Sequence, residues 1–142
     1  MHSALFAIFG FATAAYTASI PRAALKSFEV TGFNFTQAAG SDAANVYFYV
    51  NEPNTGGLTI CGDDAVRPNE LRFCNGVPQF VFGDDFKTLS VSWLWGADGP
   101  DHHTSASGTA NVTLNCVDDP SQQGQQQCTA DDFKIEPTIV AP

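Results

Sequence analysis

The segment NVYFYVN, residues 45–51, decides the fold class. Its two valines and Phe48 occupy alternate positions, and Tyr47 and Tyr49 occupy the positions between them. Because successive side chains of a β-strand point to opposite faces, this period of two predicts a strand with one apolar face. The opposite face leaves two interpretations open. The tyrosines either form an exposed surface suited to a protein or a flat ligand, or a second layer covers them as ordinary core.

Strand-like alternation continues on both sides of this segment. Within residues 28–36 the parity of the apolar positions changes at Gly32, which predicts a β-bulge. Trp93 and Trp95 share the apolar parity of the segment 88–95 and are expected in the core. Further predicted strands are residues 58–61, 71–74, 79–82, 109–116 and 133–140, with polar loops at 96–108 and 117–127. Short strands separated by turn residues, without helical periodicity, predict an all-β protein, a compact antiparallel β-barrel or sandwich.

Four cysteines occur at positions 61, 74, 116 and 128. An even number of cysteines in a chain bound for an oxidising compartment predicts two disulfides, although three pairings are open. We favour Cys61–Cys74 and Cys116–Cys128, because each bond closes a short polar loop between predicted strands. Zinc ligation is disfavoured, since the chain lacks the close cysteine pairs typical of structural zinc sites.

Residues 4–15 form an uncharged apolar run that is followed by small side chains. The run is too short to span a membrane but has the length of the hydrophobic region of a secretory signal. We therefore predict a signal peptide over residues 1–18 and a single secreted domain over residues 19–142. Nothing later in the chain approaches the length of a membrane span, so a soluble extracellular protein is expected.

The chain carries a formal net charge of −9. Such a protein repels phosphate backbones and anionic lipids, so neither nucleic acid nor a membrane surface is expected as a partner. A basic protein partner, or solubility in an acidic extracellular fluid, fits this charge better.

Few motifs point to chemistry. Asn34 and Asn111 begin Asn-x-Thr sequons and are candidate N-glycosylation sites, which face solvent if the residue after each points to the core. The segment 98–103, with His102 and His103, is interpreted as a solvated loop, and four Asp-Asp pairs are interpreted as turns rather than calcium ligands. No metal and no cofactor are expected. No nucleophile elbow is present, so we expect no enzyme, although paired carboxylates for glycoside chemistry stay open.

The order of these elements resembles a known family. An aromatic strand at 28–35 precedes LTIC at 58–61, LRFC at 71–74, FVF at 80–82 and LSVSW at 89–93, and eleven residues separate Cys116 from Cys128 near the end. This layout resembles the fungal family founded by the major allergen of Alternaria. The resemblance implies an antiparallel barrel whose cysteines pair in sequence order, without known enzymatic activity. It also implies plant-tissue colonisation, induction of cell death or immunity, and binding of plant defence proteins or small phenolics.

The chain departs from the family in one place. The founding allergen has an additional cysteine near its mature N-terminus that joins two subunits, whereas here no cysteine precedes Cys61. A monomer or a non-covalent dimer is therefore expected. The first functional hypothesis is a secreted effector or elicitor that binds a host plant extracellular protein. The alternatives are a carrier of small phenolic or lipid ligands and, third, a carbohydrate-active enzyme of the cell wall.

Overall fold

The computed structural model describes residues 25–96, 99, 104–122 and 124–140, and most of these residues lie in β-strands. The predicted signal peptide lies outside these residues. The prediction of an all-β, antiparallel protein is confirmed. In chain order the elements are β1 (Phe28–Ala38), β2 (Ala44–Glu52), β3 (Gly57–Val66), β4 (Arg72–Phe73), β5 (Gln79–Phe82), a 3₁₀ helix (Asp84–Phe86), β6 (Thr88–Leu94), β7 (Ser105–Asn111), β8 (Asn115–Asp118), β9 (Gln125–Ala130), β10 (Phe133–Ile135) and β11 (Thr138–Ile139).

The strands form two sheets. The first has the order β3-β2-β1-β9-β8, with β10 also paired to β1, and the second has the order β11-β7-β6-β5-β4. Each order ends in edge strands, so the described strands form a two-sheet sandwich rather than a closed barrel. Among the described residues, no helix has the length and apolar character needed to cross a membrane.

The long strand β1 organises the first sheet. One of its sides pairs with β2, while its other side pairs first with β10 and then with β9. The register with β2 shifts between Thr31 and Asn34, where Gly32 has a φ of 62°. This is the bulge that the parity change predicted. Because of it, Phe28 and Phe33 face the same core although they lie five residues apart.

The core lies between the two sheets and is rich in phenylalanine. Phe48 in β2 is buried, and its ring lies 5.6 Å from Phe33, 5.3 Å from Phe80 and 6.2 Å from Phe82, measured between centroids. The first neighbour is in β1 and the other two are in β5, so one ring connects both sheets. Truncating such a side chain to alanine costs about 3–5 kcal/mol in a typical core.

The structure contains the two predicted disulfides. One joins Cys61 in β3 to Cys74 just after β4 and so connects the edges of the two sheets. The other joins Cys116 to Cys128, which are paired residues of the hairpin β8–β9. The segment 117–127 was predicted as a loop, and this is wrong in part. Its ends belong to the paired strands, because polar residues such as its glutamines pair well in a strand that is exposed on one face.

A buried carboxylate holds the turn between β2 and β3. Glu52 is fully buried, and it accepts hydrogen bonds from the backbone N–H groups of Asn54 and Thr55 and from the Thr55 hydroxyl. The indole Nε1 of Trp95 donates a further hydrogen bond to Glu52 Oε2 at 3.0 Å. The Glu52 carboxylate thus accepts the hydrogen bonds of turn N–H groups that would otherwise need water as a partner. Trp93 packs in the core as predicted, whereas Trp95 is only partly buried.

The last two strands join the two sheets at one end. β10 pairs with β1 in the first sheet, and β11 pairs with β7 in the second. Pro137 is buried between these strands, where the chain crosses from one sheet to the other. The crossing runs close over Gly108 of β7, where a Cβ atom would collide with the carbonyl of Glu136.

Candidate functional site

The two tyrosines of β2 lie on the outer face of the first sheet. Tyr47 is 42% exposed and Tyr49 is 47% exposed, so no second layer of the described chain covers them. The structure therefore agrees with the interpretation in which the two tyrosines form an exposed surface. That these side chains bind a partner stays a prediction.

Two aliphatic side chains of β3 extend this face. Ile60 lies opposite Tyr49 in the β2–β3 pairing, and Leu58 lies opposite Asn51, one position further along the same face. Their exposed fractions are 39% and 68%. Sequence reasoning missed both residues, because an isolated apolar pair is normally assigned to the core. The available signal was Cys61, which must point inward to its disulfide and so sends Ile60 outward.

Phe73 of β4 completes the face from the other sheet and is 62% exposed. The adjoining Cys61–Cys74 disulfide holds the chain beside β3. The Asn75 N–H donates to the carbonyl of Ile60 at 2.9 Å, and the Thr59 hydroxyl donates to the carbonyl of Asn75 at 2.7 Å. Between Tyr47, Ile60 and Phe73 this arrangement leaves an open groove of about 300 Å³.

We call Tyr47, Tyr49, Leu58, Ile60 and Phe73 the tyrosine surface. A large side chain has roughly 150–250 Å² of surface, so five of them at these exposures present on the order of 500 Å². This area is in the range of the largest apolar patch on a typical soluble monomer, about 300–600 Å², and such a patch often has a function. The tyrosine surface is therefore the candidate binding site of the described chain.

Carboxylates border the tyrosine surface. The Tyr47 hydroxyl donates a hydrogen bond to Asp64 Oδ1 at 2.8 Å. This hydrogen bond raises the pKa of Tyr47 above its usual 10.0, and reduced hydration and the negative charges of Asp64 and Asp63 act in the same direction. Tyr47 is therefore a neutral hydrogen-bond donor at physiological pH, with its oxygen fixed beside a carboxylate.

The balance of charge around the surface is negative. The guanidinium of Arg72 does not offset this charge freely, because it lies 2.9 Å from Asp63 Oδ2 and also contacts Glu70. At the other end of the face Glu29 accepts a hydrogen bond from Asn51 at 3.0 Å. The charged residues that these contacts and the β1–β10 pairing place here include the carboxylates Glu29, Asp63, Asp64 and Glu70 and the cations Arg72 and Lys134.

The two sequons lie on opposite sheets. Asn34 is exposed in β1, where it pairs with Tyr47 of β2 on one side and with Thr129 of β9 on the other. Asn111 is exposed at the end of β7 in the second sheet. The residues after them, Phe35 and Val112, are buried. Glycosylation of either asparagine stays a prediction.

The structure assembles no metal centre from its described residues. No group of three or more His, Cys, Asp and Glu side chains among them converges on a position that could hold a metal ion. His102 and His103, which the sequence singled out together with the neighbouring aspartates, lie outside the described residues.

Comparison with known proteins identifies the fold. No protein-family model and no curated protein matches the sequence. Two solved structures match the fold, both crystal structures of the Alternaria alternata major allergen Alt a 1. The first has a TM-score of 0.64 at 16% identity, over 82% of this chain and 95% of the allergen. The second has a TM-score of 0.63 at 16% identity, over 86% and 96%. The predicted resemblance to this allergen is thus confirmed for the fold.

Proposed function

We propose that this protein acts outside the cell as an effector or elicitor that binds a host plant protein through the tyrosine surface. The observation that carries this proposal is the exposure of five large apolar side chains on one face of a disulfide-linked sandwich. Tyrosine is enriched among the residues that contribute most to protein interfaces, because its ring buries much area at a low entropic cost. We assign the protein no catalytic step.

The charge of the site favours a basic partner. The net charge of −9 attracts cationic proteins over a distance of about one Debye length, about 8 Å at physiological salt. At contact, the carboxylates of Asp63 and Asp64 can pair with lysine or arginine, and the faces of Tyr47 and Tyr49 can receive the same cations. Two copies of this chain would instead bring carboxylates together, so the tyrosine surface is poorly suited to self-association.

A small phenolic ligand is the second candidate, and the groove beside Tyr47 favours it. Its volume of about 300 Å³ is at the lower end of the range of ligand pockets, about 300–1,000 Å³. A phenol could stack on Phe73 and share a hydrogen bond with Asp63. The phenylalanine-filled core of the described chain offers no comparable reason to propose a lipid inside the sandwich.

Affinity capture from plant apoplastic fluid tests the proposal. The baits, all prepared without N-linked glycans, are the wild-type protein, the double variant Tyr47→Ser/Tyr49→Ser and the control Val117→Ser. Val117 is a suitable control because it is 66% exposed on the same sheet but lies in β8, away from the tyrosine surface. We expect a basic host protein to be retained by wild type and control and lost from the double variant. Equal capture by all three baits would refute a role for the tyrosine surface.

Two further measurements separate the candidates. Infiltration of the same three proteins into leaves should give cell death or defence-gene induction with wild type and control only. Titration of the intrinsic tryptophan fluorescence with a panel of phenolics tests the second candidate, with Phe73→Ser as the variant that removes one wall of the groove. A saturable change that Phe73→Ser abolishes, in the absence of any captured protein, would favour the carrier.

A further inference from the structure

Asn34 and Tyr47 are direct neighbours across two strands. They are paired residues of β1 and β2, so both side chains leave the same face of the sheet, and both are exposed. Side chains paired in this way have Cβ atoms about 4.5–5.5 Å apart. The first sequon of the chain therefore opens onto the edge of the tyrosine surface.

The Asn34 amide is free to carry a modification. Within the described residues no hydrogen bond engages its side chain, and the burial of Phe35 fixes the backbone so that Asn34 points outward. Thr36, the hydroxyl residue of the sequon, lies two residues further along the same strand and shares this face. A sequon on a solvent-facing strand satisfies the geometric requirement for a glycan.

We propose that Asn34 carries an N-linked glycan that covers the tyrosine surface and so controls access to it. In the attachment step, an oligosaccharyltransferase moves the oligosaccharide from a lipid-linked pyrophosphate donor to Asn34. A bond forms between the sugar C1 and Asn34 Nδ2, the bond between C1 and the phosphate oxygen breaks, and the amide loses one proton while the lipid pyrophosphate leaves. No change in oxidation state is involved.

The neighbours of Asn34 set the direction in which the glycan lies. On one side is Thr129, a small side chain, and on the other is the exposed ring of Tyr47. The C–H face of an N-acetylglucosamine ring is apolar and packs favourably on an aromatic ring, which reduces the exposed apolar area. The glycan stem therefore lies over Tyr47 first and reaches Tyr49, which pairs with Thr31 beyond the bulge, less completely.

The functional meaning of this cover rests on the proposed role of the tyrosine surface. If that surface binds a partner, the glycosylated form is the masked form and the unmodified form is the active one. The second sequon provides a matched control, because Asn111 lies on β7 of the other sheet and pairs with Thr88 rather than with an aromatic residue.

The test measures cover without any partner, so it does not depend on the proposed function. The full chain is secreted from a eukaryotic host as wild type, Asn34→Gln, Thr36→Ala and Asn111→Gln. Peptide mass spectrometry identifies which sequons are occupied. Tetranitromethane then nitrates accessible tyrosines, and the rates at Tyr47 and Tyr49 are read separately by mass spectrometry.

We expect occupancy at Asn34 and nitration of Tyr47 several-fold slower in wild type and Asn111→Gln than in the other two variants, with a smaller difference at Tyr49. Thr36→Ala keeps Asn34 in place, so agreement between the two sequon variants excludes a local effect of the glutamine. An unmodified Asn34, or equal nitration rates in glycosylated and unglycosylated protein, would overturn the proposal. If wild type shows this cover and the uncovered Asn34→Gln variant still captures no host protein, the proposed function alone is contradicted.

Discussion

Replacing Glu52 by glutamine removes one acceptor from a fully buried carboxylate. Oε1 accepts from the backbone of Asn54, and Oε2 accepts from the Thr55 hydroxyl and from Trp95 Nε1. Whichever way the glutamine amide is oriented, its NH₂ group meets at least one of these donors. That contact replaces a hydrogen bond to a charged acceptor, worth about 1.5–3 kcal/mol, with an unpaired buried donor. We expect the free energy of unfolding to fall by about 2–3 kcal/mol.

Urea unfolding followed by tryptophan fluorescence measures this change. With a slope of about 1–3 kcal/mol per molar urea, the midpoint should fall by about 0.7–3 M. Glu29→Gln is the matched control, because that exposed-face carboxylate accepts one side-chain hydrogen bond, from Asn51, and its loss should cost less than about 0.5 kcal/mol. Trp95→Phe removes a donor instead, so its effect should not add to that of Glu52→Gln.

The reasoning would be refuted if Glu52→Gln unfolded at the same urea concentration as wild type and Glu29→Gln. Full additivity between Glu52→Gln and Trp95→Phe would also contradict it, because the two side chains would then not be coupled through their hydrogen bond.

Three further outcomes are expected. Gly32→Ala should destabilise by about 1–2 kcal/mol in urea unfolding and more than Gly40→Ala, since both glycines have positive φ but only at Gly32 would the new Cβ contact Tyr49, at 3.1 Å. Asp64→Asn should lower the pKa of Tyr47 toward 10.0 in a phenolate absorbance titration, and an unchanged titration would count against the hydrogen bond. Because the pKa of Tyr47 is raised in the fold, the neutral phenol stabilises the folded state fully below pH 10.0, and this stabilisation is lost as pH rises through the folded pKa. Reduction of both disulfides, which close separations of 13 and 12 residues, should remove up to about 3 kcal/mol each, and equal melting temperatures of reduced and oxidised protein would refute this.

The sequence predicted the features that depend on local alternation. The period of two around Phe48 predicted β2 and its inward face, and the parity change at Gly32 predicted the bulge. Both follow from the geometry of a single strand, which needs no knowledge of its neighbours. The outcome for Tyr47 and Tyr49 could not be decided in this way, because their exposure depends on whether another layer packs on the sheet.

The remaining differences arise from pairing between distant strands. Phe73 joins the tyrosine surface only because the two sheets meet at the Cys61–Cys74 disulfide, and no local pattern contains that contact. The predicted strand 109–116 is wrong as one element, since β7 ends at Asn111 and the chain then moves to β8 of the other sheet. The alternation of apolar and polar residues can continue along the sequence while the chain passes from one sheet to the other, so it does not reveal the change of sheet.

The crossing of the C-terminal segment between the sheets has a consequence for biogenesis. β1, one of the first elements to be synthesised, needs β10 as a partner, and β7 needs β11, the last strand of the described chain. While these final residues are still inside the ribosome, the sandwich lacks one end of both sheets and its earliest strand is incompletely paired. Both sheets can therefore be completed only once β10 and β11 have left the ribosome.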